Sequence, residues 1–435
     1  MQTVGEFNPA MQSSLEDKVN PAIGGKVERP AVSNRDDPSR PTRVLLVGPS
    51  LDYLGGQAVQ AQRILARLRM DPDLSVEFLP VNPRLPGMLG RLQRVRYVRT
   101  VVTSLAYTAS LLRAVRRFDV IHAYSASYWS FLLAPFPAIL IGRLAGRGVI
   151  LNYHSGEADD HLTRWRGTRQ LLTLAHRIVV PNEYLEGVFA RHGLKTSSIA
   201  NHVEAGDMPV RLREKLRPTF FTNRNLEPHY GVDTVLRAFQ RIQVAYPDAT
   251  LVLAGTGSER NELEKLALEL GLRGVSFIGT VPPGEMPFCY NAADIYLNGS
   301  RVDNMPLSLM EAFAAGLPVV TTDAGGIPCI VRHEENGLVV PQDDWERMAH
   351  EAIRLLENPP LARRIARDAR IDCTRRYSWQ AVAGKWKRCY EELAGRRTRA
   401  MHRNPTRQGA AGRLQLEGTE MAAGGRSRAG KSGMS

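Results

Sequence analysis

The sequence has few cysteines and no long uninterrupted apolar stretch. Its 435 residues contain four cysteines, Cys289, Cys329, Cys373 and Cys389, at spacings that match no zinc or disulfide framework. The most apolar stretch, residues 128–141, contains two prolines and is shorter than the roughly 20 residues that a bilayer span needs. These absences favour reduced thiols, and they favour a core helix over a membrane span at residues 128–141.

The beginning of the chain also lacks the pattern of a secretory signal. Residues 1–20 contain acidic residues where a signal peptide needs a basic start followed by an apolar run. We therefore expect a cytoplasmic protein. Residues 1–41 and 396–435 show no sustained apolar period, so we expect both segments to be disordered tails, the second of them basic.

Acidic residues are missing from one strongly basic segment. The net charge is +13, and residues 84–118 hold eight arginines without an Asp or Glu, while residues 396–435 hold nine basic residues against two acidic ones. The remainder is close to neutral, which argues against a nucleic-acid-binding surface. In residues 84–118, arginines alternate with Leu, Val and Tyr, which is typical of a helix on an anionic membrane surface. A helix with a solvated basic face is the alternative.

Between the tails, short runs of apolar and β-branched residues alternate with helical patterns, which predicts βαβ units and parallel sheets. The predicted strands are residues 43–48, 75–79, 119–122, 148–152, 177–180, 219–222, 250–255, 275–279, 294–298, 318–322 and 337–340. The rhythm lapses at residues 203–217. We predict an α/β fold of two Rossmann-like, doubly wound domains, residues 42–205 and 206–377, facing each other across a ligand-binding cleft.

Residues 298–328, NGSRVDNMPLSLMEAFAAGLPVVTTDAGGIP, carry the strongest signal for chemistry. They predict a strand, a loop, a helix with Pro306 as its first residue, and a second strand. Because the first N–H groups of a helix have no partner within it, this helix start suits a diphosphate. Glu311 lies in the second turn, where a carboxylate can accept hydrogen bonds from ribose hydroxyls. A solvated helix residue is the alternative for Glu311.

This segment resembles the family 4 retaining glycosyltransferases, which have the two-domain GT-B fold. Members carry two glutamates separated by seven residues, then G-x-P-V-V and a glycine pair. Here Asp303, Glu311, GLPVV at 316–320 and Gly325–Gly326 take those places. The resemblance implies that the first acid contacts the transferred sugar, that the second holds the ribose, and that the amides of Asn304–Leu307 hold the diphosphate. Asp303 is one methylene shorter than the glutamate of the family, so we expect it to affect which donor sugar is bound or how that sugar is oriented.

Other strand ends of the second half extend the resemblance. Arg224 matches an arginine that would neutralise the donor phosphate, whereas the lysine that follows it in the family is absent and His229 and Tyr230 stand near its place. His229 is otherwise an ordinary polar loop residue. Gly255 belongs to a G-T-G turn that lacks the third glycine of a dinucleotide-binding pattern because Arg260 stands there, which disfavours a nicotinamide enzyme.

The first half would supply the opposite wall of the cleft. Gly55 and Gly56 match glycines that let a loop approach the donor, although a plain helix-start turn is the alternative. His154, at a strand end, matches a histidine that often contacts the sugar. Acidic residues and a histidine follow at 157–161, but no matching ligand set occurs elsewhere, so we expect no metal.

The prediction therefore assigns three residues to catalysis and a larger set to the donor. The catalytic residues are His154, Asp303 and Arg224. The donor-binding residues are Gly55, Gly56, Arg224, His229, Gly255, Asp303, Asn304, Met305, Pro306, Leu307 and Glu311. We also expect residues 378–395 to form a C-terminal helix that packs back on the first domain.

The resemblance implies a retaining hexosyltransferase. It would move a sugar from a nucleoside diphosphate sugar to a glycan or lipid-linked acceptor, in cell-envelope or exopolysaccharide biosynthesis, without a cofactor or metal. It would work in the cytoplasm at the inner face of the cell membrane. The alternatives are a nucleotide-sugar-binding protein without transfer activity and a sugar-nucleotide epimerase of the same fold, which the glycine-rich C-terminal motif fits less well.

Overall fold

The structure, a computed structural model, describes residues 40–402 except 52–55, 87–89, 92, 94, 126 and 212. From Pro41 onward, the described residues belong to one compact unit. Residues 1–39 of the predicted N-terminal tail, residues 403–435 of the predicted C-terminal tail and the candidate site residue Gly55 lie outside the described residues.

Six parallel strands form the first sheet of the described chain, in the spatial order β2-β1-β3-β4-β5-β6. They are β1 (Thr42–Gly48), β2 (Leu74–Pro80), β3 (Val120–Tyr124), β4 (Gly148–Asn152), β5 (Arg177–Val180) and β6 (Ser197–Ser198). Every residue of β3 and β4 is buried, as expected for parallel strands with helices on both faces. The strand order reverses between β1 and β3, which places the expected ligand-binding crevice at their carboxyl ends.

The second sheet, also of six parallel strands in the described chain, has the order β12-β11-β10-β7-β8-β9. Its strands are β7 (Thr219–Asn223), β8 (Thr250–Ala254), β9 (Val275–Gly279), β10 (Ile295–Asn298), β11 (Val319–Thr322) and β12 (Leu338–Val340). Two apolar clusters cover its two faces. Here the order reverses between β7 and β10, so the crevice of this sheet lies where these two strands end.

Helices connect the strands on both sides of each sheet. In the described part of the chain they are α1 (Gly56–Leu68), α2 (Arg96–Ala114), α3 (Tyr128–Leu133), α4 (Pro135–Leu144), α5 (Ala158–Arg164), α6 (Arg166–Leu172), α7 (Glu183–Arg191), α8 (Val232–Ala245), α9 (Arg260–Glu269), α10 (Met286–Ala292), α11 (Leu307–Ala314), α12 (Trp345–Glu357), α13 (Pro359–Tyr377) and α14 (Trp379–His402). The apolar stretch at 128–141 forms two short helices, because Pro135 starts a new one. None of the described helices has the length and apolar character to cross a membrane.

The last helix, α14, returns from the second domain to the first. Trp386, Tyr390 and Leu393 join the apolar cluster that contains Val44 of β1 and Val120 of β3. The backbone of α14 stays helical as far as His402. With two parallel sheets, each wrapped by helices, the predicted α/β fold of two Rossmann-like domains is confirmed.

Candidate active site

A cavity of about 780 Å³ lies where the carboxyl ends of the two sheets face each other. The loops after β4 and β5 line it from the first domain, and those after β7, β8, β9 and β10 line it from the second. Eleven predicted site residues line this cavity: Gly56, His154, Arg224, His229, Gly255, Asp303, Asn304, Met305, Pro306, Leu307 and Glu311. The structure thus brings together every predicted site residue that it describes.

The start of α11 opens onto this cavity. Pro306 is the N-cap with φ −63° and ψ 121°, so the helix begins at Leu307, one residue after the predicted start. No side chain of the described residues caps this end. Its first amides therefore point, without partners in the helix, toward a space in which phosphate oxygens can accept their hydrogen bonds.

The loop before α11 is held by the first domain. Asn182 Nδ2 donates a hydrogen bond to the backbone oxygen of Asn304 at 2.8 Å, and Asn201 Nδ2 donates to that of Met305 at 3.2 Å. In return, Asn304 Nδ2 donates to the backbone oxygen of His154 at 3.0 Å. The two domains are therefore joined by hydrogen bonds at the very loop that leads into the helix start.

Glu311 lines the cavity and has 6% of its surface exposed. Its Oε1 accepts a hydrogen bond from Arg63 Nη2 at 2.6 Å, and its Oε2 accepts one from the Tyr290 hydroxyl at 2.8 Å. Arg63 belongs to α1 of the first domain, and sequence reasoning missed it. Glu311 is therefore a buried and oriented carboxylate, not a solvated helix residue.

Arg224 and Asp303 form an ion pair on the wall of the cavity. Arg224 also donates to Ser308 Oγ at 3.1 Å, and its guanidinium lies 4.1 Å from the centre of the Tyr230 ring. Asp303 Oδ1 accepts from the amide of Asn304 at 2.9 Å. Burial raises the pKa of Asp303, while the charge of Arg224 opposes that shift. Asp303 is thus the counter-ion that fixes Arg224 beside the helix start.

His154 follows β4 and faces the cavity from the first domain. Its ring stacks on Tyr124 with the centroids 5.7 Å apart, and its backbone N–H donates to Ser125 Oγ at 3.0 Å. Burial lowers the pKa of His154 to about 4, so the imidazole is neutral near pH 7. Its Nε2 is buried and has no hydrogen-bond partner among the described residues.

Two other predicted residues shape the loops of the second domain. The backbone oxygen of His229 accepts hydrogen bonds from the amides of Arg301 at 2.9 Å and Val302 at 3.1 Å, which joins the loop before α8 to the loop after β10. Gly255 has φ 141°, and a Cβ there would lie 2.1 Å from the backbone oxygen of Arg224. Glycine at position 255 therefore allows the strand-end loops of β7 and β8 to touch.

The acidic and histidine residues at 157–161 have separate partners. Asp159 pairs with His192 at 3.0 Å, whereas buried His161 contacts the Tyr153 hydroxyl through Nδ1 at 3.0 Å. In the part of the chain that the structure describes, no three His, Cys, Asp or Glu side chains are grouped so that they could hold a metal ion.

The two doubly wound sheets and the cavity at their switch points define a protein of the GT-B fold. Sucrose-phosphate synthase from Thermosynechococcus elongatus superposes with a TM-score of 0.68 at 19% identity, covering 82% of this chain and 100% of that one. HepE from Anabaena, solved in complex with UDP, gives a TM-score of 0.63 at 18% identity and covers 81% of this chain and 100% of its own. At these identities the likeness establishes the fold.

Known proteins with similar sequences are glycosyltransferases, and the similarity is strongest in the second domain. Residues 207–372 match the family Glycosyl transferases group 1. A phosphatidyl-myo-inositol mannosyltransferase of Mycobacterium leprae is 26% identical over 350 residues, which are 77% of this chain and 89% of that protein. A GDP-mannose-dependent alpha-(1-6)-phosphatidylinositol monomannoside mannosyltransferase of Mycobacterium tuberculosis is 32% identical over 187 residues, 41% of this chain and 49% of that protein. The second domain is therefore similar in sequence to the group 1 glycosyltransferases.

Proposed function

We propose that this chain is a retaining, family 4-like hexosyltransferase that moves a sugar from a nucleoside diphosphate sugar to a glycan or lipid-linked acceptor in cell-envelope or exopolysaccharide biosynthesis. One observation carries the proposal: a free helix start, a fixed arginine and a buried carboxylate line the same cavity between two domains. The helix start and the arginine suit a diphosphate, and the carboxylate suits the hydroxyls of a ribose. A relative named for GDP-mannose and a structural neighbour solved with UDP make both bases candidates for the donor.

In this proposal, the protein stabilises the leaving diphosphate. Charge develops on the phosphates as the bond to the sugar breaks, and preorganised donors aimed at that charge usually supply the largest catalytic contribution. The amides at the start of α11 and the guanidinium of Arg224 would provide them. Asp303 and Ser308 hold Arg224 in place, so little reorganisation is needed during the reaction.

Retention would follow from attack on the face of the sugar that the leaving group departs from. The leaving phosphate then takes the proton of the acceptor hydroxyl, so the step needs neither a metal ion nor a separate protein base. We assign His154 and Asp303 to the transferred sugar. The unpartnered Nε2 of His154 supports this assignment, because a buried polar nitrogen gains most from a new hydrogen-bond partner.

Transfer assays with the full chain test this function. Uridine and guanosine diphosphate sugars are supplied with a lipid-linked acceptor, and Arg224→Gln serves as the inactive control. We expect acceptor-dependent transfer with the anomeric configuration of the donor retained, as read by NMR. Donor binding without turnover would instead indicate a binding protein, and donor conversion without acceptor would indicate an epimerase.

We also propose that the chain works at the inner face of the cell membrane, with α2 on an anionic lipid surface. Among the side chains of α2 that the structure describes, the exposed large apolar ones are Val98, Val101, Leu105 and Leu112. Their helical spacing places them on one face, and the side chains of Arg99 and Arg113 are exposed beside it. An exposed apolar face flanked by cationic side chains is what an interfacial helix needs. Residues 87–89, 92 and 94 of the predicted basic segment lie outside the described residues.

Flotation with lipid vesicles tests the membrane proposal. We expect the chain to float with phosphatidylglycerol vesicles and not with phosphatidylcholine vesicles, and to lose this binding after Arg99→Gln, Arg113→Gln and Leu105→Ser together. Arg241→Gln with Arg273→Gln, two exposed arginines of the second domain, is the matched control. Equal flotation of both variants would contradict the role of α2.

A further inference from the structure

Both arginines that line the cavity already have a carboxylate partner. Arg63 and Arg224 are the two Arg or Lys residues among the described residues that line it. Arg224 is already neutralised in part by Asp303. A nucleoside diphosphate brings at least two negative charges, and buried phosphate oxygens are stabilised best by charge-assisted hydrogen bonds. The second domain alone therefore supplies too little positive charge.

The first domain adds a second guanidinium, that of Arg63, which also has a carboxylate partner but keeps one terminal nitrogen without a hydrogen bond among the described residues. Arg63 lies on α1, one wall of the cavity, and its side chain is 19% exposed. Nη2 donates to Glu311 at 2.6 Å, which fixes the orientation of the guanidinium. Nη1 is buried without a hydrogen-bond partner among the described residues. One terminal nitrogen thus holds the side chain in place while the other is left to donate.

A purely structural ion pair between the domains explains these contacts less well. Arg63 and Glu311 both line the cavity, and Glu311 is the carboxylate assigned to the ribose. A donor bound to Glu311 would therefore also contact Arg63. The same helix already carries a second ion pair toward the domain linker, between Arg67 and Glu204. Arg67 does not line the cavity, and its partner lies outside it as well.

We propose that Arg63 binds the diphosphate of the donor from the first domain, and that Glu311 holds its guanidinium in position before the donor arrives. The inference rests on the proposed use of a nucleoside diphosphate sugar. A guanidinium presents several N–H groups in one plane, so it can keep its bond to Glu311 while it donates to a phosphate oxygen. Because Arg63 belongs to the first domain, its contact with the diphosphate would join the bound donor to both domains.

Calorimetry with uridine, UMP and UDP, and with guanosine, GMP and GDP, tests this role of Arg63. The variants are Arg63→Gln, the conservative Arg63→Lys and the control Arg67→Gln, each checked for an unchanged melting temperature. We expect Arg63→Gln to weaken diphosphate binding about tenfold to a hundredfold, as for a lost charged hydrogen bond, and to leave the nucleoside within about twofold. Arg63→Lys should recover part of the loss, and Arg67→Gln should match the wild type.

The other outcomes overturn the inference in distinct ways. An equal loss for nucleoside and diphosphate means that Arg63 acts only through Glu311. Tighter binding of every ligand means that Arg63 merely competes with the donor for Glu311. An unchanged diphosphate affinity with a raised KM for a phosphate-bearing acceptor assigns Arg63 to the acceptor. A wild-type chain that binds the diphosphate but transfers no sugar contradicts the proposed function alone, and one that binds no nucleotide contradicts both.

Discussion

Burial and two hydrogen-bond partners hold the carboxylate of Glu311 in one orientation. A carboxylate that is 6% exposed needs partners, and Arg63 and Tyr290 occupy one oxygen each. Each carboxylate oxygen can accept more than one hydrogen bond, so room remains for ribose hydroxyls. The same geometry orients the carboxylate before any ligand arrives, and it limits the entropy that binding must remove.

Replacing Glu311 should therefore affect nucleotide binding strongly. We expect Glu311→Ala to weaken the binding of UDP or GDP by tens-fold, on the order of 2 kcal/mol for a lost charged hydrogen-bond partner. Calorimetry measures the change. Glu351→Ala, which removes another buried glutamate from α12, is the control because Glu351 does not line the cavity. Unchanged affinity in the Glu311→Ala protein would remove this residue from the site.

The buried histidines of the first domain should make the fold sensitive to acid. Burial lowers the pKa of His154 to about 4 and, with a contribution from His154, that of His122 to about 3. In the unfolded chain both titrate near the ordinary pKa of about 6.5. Between about pH 6.5 and 4 the unfolded state therefore binds more protons, so the free energy of unfolding falls as the pH falls through this window.

Urea unfolding at several pH values measures this effect. From pH 7 to 4.5, His154→Gln should lose about 2 kcal/mol less stability than the wild type, because the variant has no imidazole to protonate at this position. His350→Gln, at an exposed position of α12, is the control and should follow the wild type. Parallel curves for His154→Gln and the wild type would show that His154 is not shielded from protonation by burial.

At the scale of elements, apolar strands were easier to predict than polar or proline-containing ones. Parallel strands buried on both faces read as continuous apolar runs, and those at residues 148–152 and 177–180 have the predicted bounds. The missed strand, Ser197–Ser198, has two polar residues and pairs only with β5 at the edge of its sheet. Its sequence carries no such signal, because edge pairing of two residues buries little apolar surface.

The glycine pair after β11 has a steric reason that the sequence motif does not state. A Cβ at Gly326 would lie 2.3 Å from the backbone oxygen of Asn304 and 2.3 Å from Asn182 Nδ2. These are the two partners of a hydrogen bond between the domains. The absence of a side chain thus lets the loop after β11 pass directly behind the loop that leads into α11.

Adding a methyl group at position 326 should displace the loop that leads into α11. We expect Gly326→Ala to cost about 1 to 3 kcal/mol of folding free energy, as for overpacking, and to weaken nucleotide binding because Asn304 is displaced. Thermal unfolding and calorimetry measure the two effects. Gly187→Ala on α7, where an added Cβ meets nothing within 4 Å, is the control. A Gly326→Ala protein with wild-type stability would mean that the loops move apart without cost.

At the scale of the whole molecule, contacts between distant residues decide the site. The sequence motif of the second domain led to Glu311 and to the helix start, because those features are local in the chain. Arg63 was missed because it reaches Glu311 across 248 positions of sequence. Asn182 and Asn201 lay in segments without a recognisable chemical pattern, and only the folded arrangement brings them to the loop before α11.

The last helix couples the two ends of the described chain, since α14 follows the second domain but completes the core of the first. Trp386 is 1% exposed and stacks on His122 of β3 with the centroids 4.8 Å apart. We expect Trp386→Ala to destabilise the protein by about 3 to 5 kcal/mol, as for a large buried aromatic residue. Trp129→Ala should change stability by less than about 0.5 kcal/mol, because Trp129 is 70% exposed.

Hydrogen exchange shows which domain the Trp386→Ala substitution destabilises. Amides of β1, β3 and β4 should exchange faster, while those of β7, β8 and β10 keep their protection. Faster exchange confined to the second sheet would show that α14 stabilises the domain it follows and not the domain it covers.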